Sequence, residues 1–197
     1  MAVKCKWTFQ EFSKPCVLVI DAQEKYRRRL LTFTNATLAN MQAVIGHCAS
    51  KGMDVYWTEF DRDPKKGAAA RYYAGQGGDA IYGVAAGKSS VVEELKPKRF
   101  GLSKKNVFPT EKLSSFTNDA LAKQLSKHDL VIIIGGWTDQ CVTATAHAAF
   151  ARDISVCVVE DACFALRYAQ QHDHAISVLG HSIAKIVSTE ELLQATQ

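Results

Sequence analysis

The sequence predicts an α/β fold, a parallel sheet with helices on both faces in three α/β/α layers. Two observations predict it. Short, wholly apolar runs (PCVLVI at 15–20, LVIII at 130–134, ISVCVV at 154–159) alternate with stretches of helical period. The runs also lack the polar–apolar alternation of a half-exposed strand, so both of their faces need cover.

The elements follow in order. Pro15 to Ile20 is the first strand and ends at Asp21. Thr37 to Lys51 places Leu38, Met41, Val44, Ile45 and Cys48 on one helical stripe, closed by Gly52. Met53 to Thr58 is a second strand and Asn106 to Pro109 a short third. Ser115 to Ser126 reads as a helix with Leu121 and Leu125 one turn apart, and Thr143 to Arg152 as a small-residue helix. Leu130 to Ile134, Ile154 to Val159 and Ile183 to Val187 complete the strands. A helix over Gln170 to Leu179 precedes the last strand, and Ser188-x-x-Glu191 is a capping box for a terminal helix. Asp61 to Lys88, rich in Gly, Ala, Lys and Tyr, is too long for a tight connection and is expected to be a lid, binding loop or interface arm. No repeat or linker divides the chain, so residues 1–197 are expected to form one domain.

At 197 residues the chain can bury a sizeable core without staples, and its 47% apolar and 22% charged residues are those of a globular protein. The net charge of +4 is scattered. Its densest run, Arg27-Arg28-Arg29, has no interleaved aromatics, so nucleic acid is not an expected partner. The start MAVKCKWTFQEF holds no signal-peptide run and no later stretch has membrane length. A cytoplasmic protein without membrane association is therefore expected. Six cysteines without a CxxC pair suit buried free thiols in a reducing compartment, not zinc or a redox motif.

Chemistry concentrates at the strand ends. The strand at 130–134 breaks at Gly135-Gly136, and a helix begins at Cys141. A helix N-terminus favours thiolate, the nucleophilic form. Asp21 ends the first strand, and Lys112 follows the third in FPTEKLSSF. Open parallel sheets bind ligands at these carboxyl ends, where the three can converge. A cation steadies a thiolate, and a carboxylate takes the thiol proton and returns it to a leaving amine. Asp139, two residues before the thiol, opposes this unless its side chain faces away. His147 is turned off the thiol's face, and no role is read for His172 or His174.

Three motifs carry a resemblance. VIDAQ at 19–23, EKLSSF at 111–116 and GGWTDQCVTATAHAAFARDISVCVVEDAC at 135–163 resemble the isochorismatase-like cysteine hydrolases, in order from about Pro15 to Val187. The resemblance implies a Rossmann-like six-stranded parallel sheet and a catalytic triad of Asp21, Lys112 and Cys141. It implies a non-proline cis peptide between Trp137 and Thr138. The backbone N–H groups of Thr138 and Cys141 would face the substrate oxyanion. The implied reaction is C–N hydrolysis through a thioester. Gln23 and Phe116, within two of these motifs, are expected to touch substrate.

Departures narrow the expectation. The nicotinamidases of this family hold a metal with an Asp-x-His pair, whereas this chain has Asp61-Arg62-Asp63 and no His between His47 and His128. No metal and no cofactor are expected. The true isochorismatases lack the thiol. An amide, ureido or carbamoyl compound remains as substrate. Arg62 and Arg71 are candidates to pair with its carboxylate, and Trp57, Tyr72, Tyr73, Phe116 and Trp137 to wall the pocket. The resemblance also implies a homo-oligomer, dimer or higher. The alternative is a catalytically silent binding or scaffold protein that keeps the motifs for its fold. A nucleotide binder is a weaker fit, because Trp137 stands where backbone must approach phosphate.

Overall fold

Apolar strands flanked by helices on either side of the sequence assemble in one way when each must be covered twice. The computed structural model describes residues 5–27, 30, 32–61, 89–166 and 168–197. Six strands form one parallel sheet: β1 (Pro15–Ile20), β2 (Asp54–Phe60), β3 (Val107–Thr110), β4 (Leu130–Gly136), β5 (Ser155–Phe164) and β6 (Ala184–Val187). Their order is β3-β2-β1-β4-β5-β6. The three apolar runs all became strands, and β1 and β4 are buried along nearly their whole length.

The helices divide between the faces. α1 (Glu24–Arg27) is a single turn after β1, and α2 (Asn35–Ser50) carries the predicted stripe into the sheet. α2 packs on β1, β2 and β5 and meets α6 (Thr189–Ala195). α3 (Asp119–Leu125), α4 (Thr143–Phe150) and α5 (Ala169–Ser182) cover the rest, with α4 against both β5 and α5. The predicted capping box holds: the Glu191 amide donates to Ser188 Oγ at 3.2 Å and the Ser188 amide to Glu191 Oε2 at 2.7 Å.

Two boundaries differ from expectation for local reasons. The helix expected over 115–126 splits, because the Asn118 side chain accepts from the Leu121 amide at 3.0 Å and starts a new helix there. β4 does not break at its glycines. It runs on through Gly135 and Gly136, which pair with Cys163 and Phe164 after a shift of register against β5. Gly135 has φ 105°, and a Cβ there would stand 2.1 Å from the Ile20 carbonyl oxygen, so only glycine lets β1 and β4 stay paired to their ends. Cys16, Cys48, Cys141, Cys157 and Cys163 are buried free thiols, and no helix among the described residues is long and apolar enough to cross a membrane. Arg62 to Lys88, most of the expected lid, lies outside the described residues.

Candidate active site

In this strand order the chain winds outward from β1 to β3 in one direction and from β4 to β6 in the other. The crevice between β1 and β4 is therefore the topological switch point, the natural ligand site of an open α/β sheet. Asp21 follows β1 and Cys141 lies just past β4, so both stand at this point.

Asp21 is 3% exposed and sits at φ 49°, an unusual conformation for a residue other than glycine. Two bonds to one side chain hold it. Its N–H donates to Thr58 Oγ1 at 3.1 Å, and the Thr58 hydroxyl donates to Asp21 Oδ1 at 2.6 Å. The Cys141 thiol faces the same carboxylate and interacts with it. Burial pushes the Asp21 carboxyl up to about 6, while Thr58, Cys141 and the Lys25 ammonium pull it down and Glu59 adds to the rise.

Cys141 departs from the expectation of a favoured thiolate. Burial raises it well above the ordinary thiol range, and the Asp21 charge raises it further. A backbone hydrogen bond from Trp137 opposes this, and Asp139 adds a small rise. The reason is position. Cys141 is the fourth residue of a wide π-type turn, Thr138–Val142, that leads into α4, and it is only 5% exposed beside a carboxylate. Desolvation there outweighs the helix terminus. The resting pair is thus a thiol beside a carboxylate. Asp139 is turned toward the chain after β5, where its Oδ1 accepts from the Leu166 amide at 3.4 Å.

The remaining expected residues are placed unevenly. The non-proline cis peptide joins Gly136 to Trp137, one bond earlier than expected, because β4 pairs through Gly136 and Thr138 is already inside the helical turn. The Trp137 ring is buried edge-on against Tyr26 at 5.2 Å between centroids. Thr138 is fully buried, and its hydroxyl lies 2.9 Å from His172 Nδ1. Lys112 stands apart in character: β3 ends at buried Thr110, the turn at 111–113 is exposed, and Lys112 has no hydrogen bond or ion pair among the described residues. Gln23 is fully buried as a clamp. Its Oε1 accepts from the Phe60 amide at 3.0 Å, and its Nε2 donates to the carbonyls of Phe60 and Ser89, which leaves it spent on backbone. Phe116 is a core residue beneath the Arg152 guanidinium, 4.8 Å from the ring centroid. Trp57 is fully buried within β2. Arg62, Asp63, Arg71, Tyr72 and Tyr73 lie outside the described residues.

Two residues of this site were missed from sequence. His172 is half-buried at the start of α5, lines a cavity of about 490 Å³ with Thr32, Thr34, Phe164 and Tyr168, and is pushed below the usual imidazole range by burial. Lys25 is half-buried in α1, its ammonium donating to the Phe60 carbonyl at 2.6 Å. No local pattern marks either one; a lysine four residues after VIDAQ's Asp21 reads as surface until β2 is placed beside it.

A buried carboxyl raised to about 6 costs stability whenever it is charged. The folded state holds the Asp21 proton more tightly than the unfolded chain does, so stability falls as pH rises from about 4 through 6. Asp21→Asn is expected to raise stability at neutral pH, on the order of 2 kcal/mol, and to abolish that pH dependence. Urea unfolding at pH 5 and 7.5 checks this. A variant less stable than the parent at pH 7.5 would refute it.

The described part of the chain thus brings a thiol and a carboxylate together on an all-parallel six-stranded sheet. Residues 15–191 match the model of the Isochorismatase domain. The chain belongs to the isochorismatase family. As a hydrolase of the isochorismatase family it shares its fold with solved structures. A cysteine hydrolase from Pseudomonas syringae pv. phaseolicola 1448A superposes with a TM-score of 0.75 at 16% identity, over 93% of this chain and 92% of its own. An isochorismatase-like hydrolase from Alkaliphilus metalliredigens gives 0.72 at 19%, over 94% and 100%. A MAR1 ribonuclease from Caenorhabditis elegans gives 0.71 at 20%, over 93% and 81%. At these identities the likeness is one of fold. No curated protein matches the chain in sequence.

Proposed function

We propose that this isochorismatase-family hydrolase is a metal-independent cysteine hydrolase that cleaves a C–N bond of a small amide, ureido or carbamoyl compound through a thioester. One observation carries the reading: the buried Cys141 thiol and the buried Asp21 carboxylate stand together and interact at the switch point of the sheet.

Each step moves one proton or one bond. Asp21 takes the Cys141 proton as Sγ attacks the substrate carbonyl carbon. The oxygen becomes an oxyanion and rests on the N–H groups of Thr138 and Cys141. These lie in the first turn after β4, where donors lack intrahelical acceptors, while the Gln140 and Val142 amides are already engaged with the Trp137 carbonyl. The tetrahedral centre collapses, the C–N bond breaks, and Asp21 passes its proton to the leaving nitrogen. Asp21 then takes a proton from water, whose oxygen displaces Sγ as the C–S bond breaks, and Asp21 returns that proton to Sγ to restore the thiol. A carboxyl near 6 suits a group that must accept a proton and return it close to neutral pH. Among the described residues no three His, Cys, Asp or Glu side chains are grouped to hold a metal, and no step above calls for one.

Ammonia release from a panel of small amides, ureido acids and carbamoyl amino acids tests the proposal, with Cys141→Ala in parallel. Release that depends on Cys141 supports it. The rate is expected to fall on the acid side with a midpoint near 6, because only the Asp21 carboxylate accepts the thiol proton. A flat profile from pH 5 to 8 would remove Asp21 as the base. No release, joined to Cys141 alkylation no faster than in Asp21→Asn, would favour the silent scaffold instead.

A further inference from the structure

A thiolate–carboxylate site that shuttles one proton carries one negative charge throughout, on Asp21 before transfer and on Sγ after it. That charge needs a cation that neither state loses. The turn expected to supply it points Lys112 into solvent.

We propose that Lys25, from the helical turn directly after Asp21, provides the ammonium charge of the Asp21–Cys141 pair. This rests on the cysteine-hydrolase reading above. In that role it is a positioning residue, acting on the reacting groups through its field.

The geometry places it on three sides. Lys25 stands four residues beyond Asp21, at the second position of α1. Its Nζ donates at 2.6 Å to the carbonyl of Phe60, the last residue of β2, two positions beyond the Thr58 that binds Asp21 Oδ1. The Gln23 clamp on the Phe60 amide and the bond from the Lys25 amide to Ser89 Oγ, 3.0 Å, fix the turn from which it projects. The ammonium lies 5.1 Å from the centroid of the Tyr26 ring, which packs on Trp137, the residue whose backbone bonds to the Cys141 sulfur. The ammonium therefore sits at the end of β2, over the ring that packs on Trp137.

The electrostatics agree with that position. Lys25 feels Asp21, Asp61, Glu59 and Cys141, all of which favour its charged form, while burial, the larger effect, disfavours it. Asp21 in turn feels Lys25, with Glu59 opposing. Among the described residues, Glu59 and Asp61 from β2 and its end, and Asp139 from the turn after β4, are further charged groups that face the pair. Asp21 falls within the field of Lys25, and Lys25 within that of both Asp21 and Cys141, so the proton can pass between the two while the ammonium stays near the charge.

The experiment follows Cys141 alkylation by iodoacetamide against pH, with the modified peptide read by mass spectrometry. The proteins are the parent, Lys25→Gln, Lys25→Met, Lys25→Arg and Lys112→Ala. Gln keeps a donor for the Phe60 carbonyl but no charge, and Met offers a second uncharged side chain should the Gln variant fold poorly. The uncharged variants are expected to slow alkylation about tenfold at pH 7 and to move the midpoint up by about one pH unit. Lys25→Arg should stay within about threefold of the parent, and Lys112→Ala should match it. Superposable profiles for the parent and the uncharged variants would overturn the proposal, as would an equal displacement in Lys112→Ala. The carboxyl titration of Asp21, followed by carbon-13 NMR, separates this from the cysteine reading. A midpoint unmoved by the loss of the Lys25 charge overturns the role of Lys25 even where Cys141 is reactive. A raised midpoint sustains that role even where Cys141 proves inert.

Discussion

Cys141→Ala removes hydrolysis, with an expected fall in kcat/KM of about 10⁴- to 10⁶-fold, the loss that follows when a covalent nucleophile is deleted. The chain keeps its fold, because truncation at a residue already packed into the turn after β4 takes away one sulfur and leaves the backbone bonds of that turn to Trp137 intact. Cys141→Ser sharpens the result. A serine hydroxyl is far less acidic than a thiol, and a carboxylate near 6 is too weak a base to ionise it, so the Ser variant should be as inactive as Ala despite a nearly isosteric side chain. Steady-state kinetics on the substrate found in the panel, beside urea midpoints for each variant, measures both halves. More than about 1% of parental activity in Cys141→Ala would mean that another group attacks the carbonyl.

Gly135→Ala carries the largest effect on the fold. At φ 105° an alanine is strained whatever the space, and its Cβ would meet the Ile20 oxygen at 2.1 Å and the Ile20 nitrogen at 2.8 Å. Both are backbone atoms of the neighbouring strand, held by their own pairing, so no rotamer relieves the clash. The expected cost is about 3 kcal/mol or more, seen as a lower urea midpoint. Activity should fall beyond the loss of folded protein, because Ile20 immediately precedes Asp21 and its displacement moves the carboxylate off the thiol. Gly52→Ala separates the two causes. Gly52 also has positive φ, 77°, but a Cβ there meets nothing within 4 Å, so it should cost only the backbone strain, about 1–2 kcal/mol. Equal losses at the two positions would refute the close approach of β1 and β4.

Much of this was legible locally. A strand buried on both faces must be apolar throughout, so PCVLVI and LVIII could be read as strands and their ends located at Asp21 and before Cys141. A serine with a glutamate three residues on makes its own cap, and the terminal helix begins where that pair says. Such features depend on residues a few positions apart, and the sequence alone determines them.

The character of the site depends on residues far apart in the chain. The order β3-β2-β1-β4-β5-β6 sets β1 against both β2 and β4, which brings Thr58 and Cys141 to the same carboxylate. Only that arrangement decides how much water each group loses, and water loss reversed the expected state of the thiol. It also decided the lysines. Lys112 has the motif but follows a strand that ends in a buried threonine and turns outward, whereas Lys25 has no motif and meets the end of β2. The residue types at the strand ends were written in the sequence. Their protonation, and which cation faces them, came from burial and from contacts between strands, because a charge responds to everything packed around it and the chain order records only its neighbours.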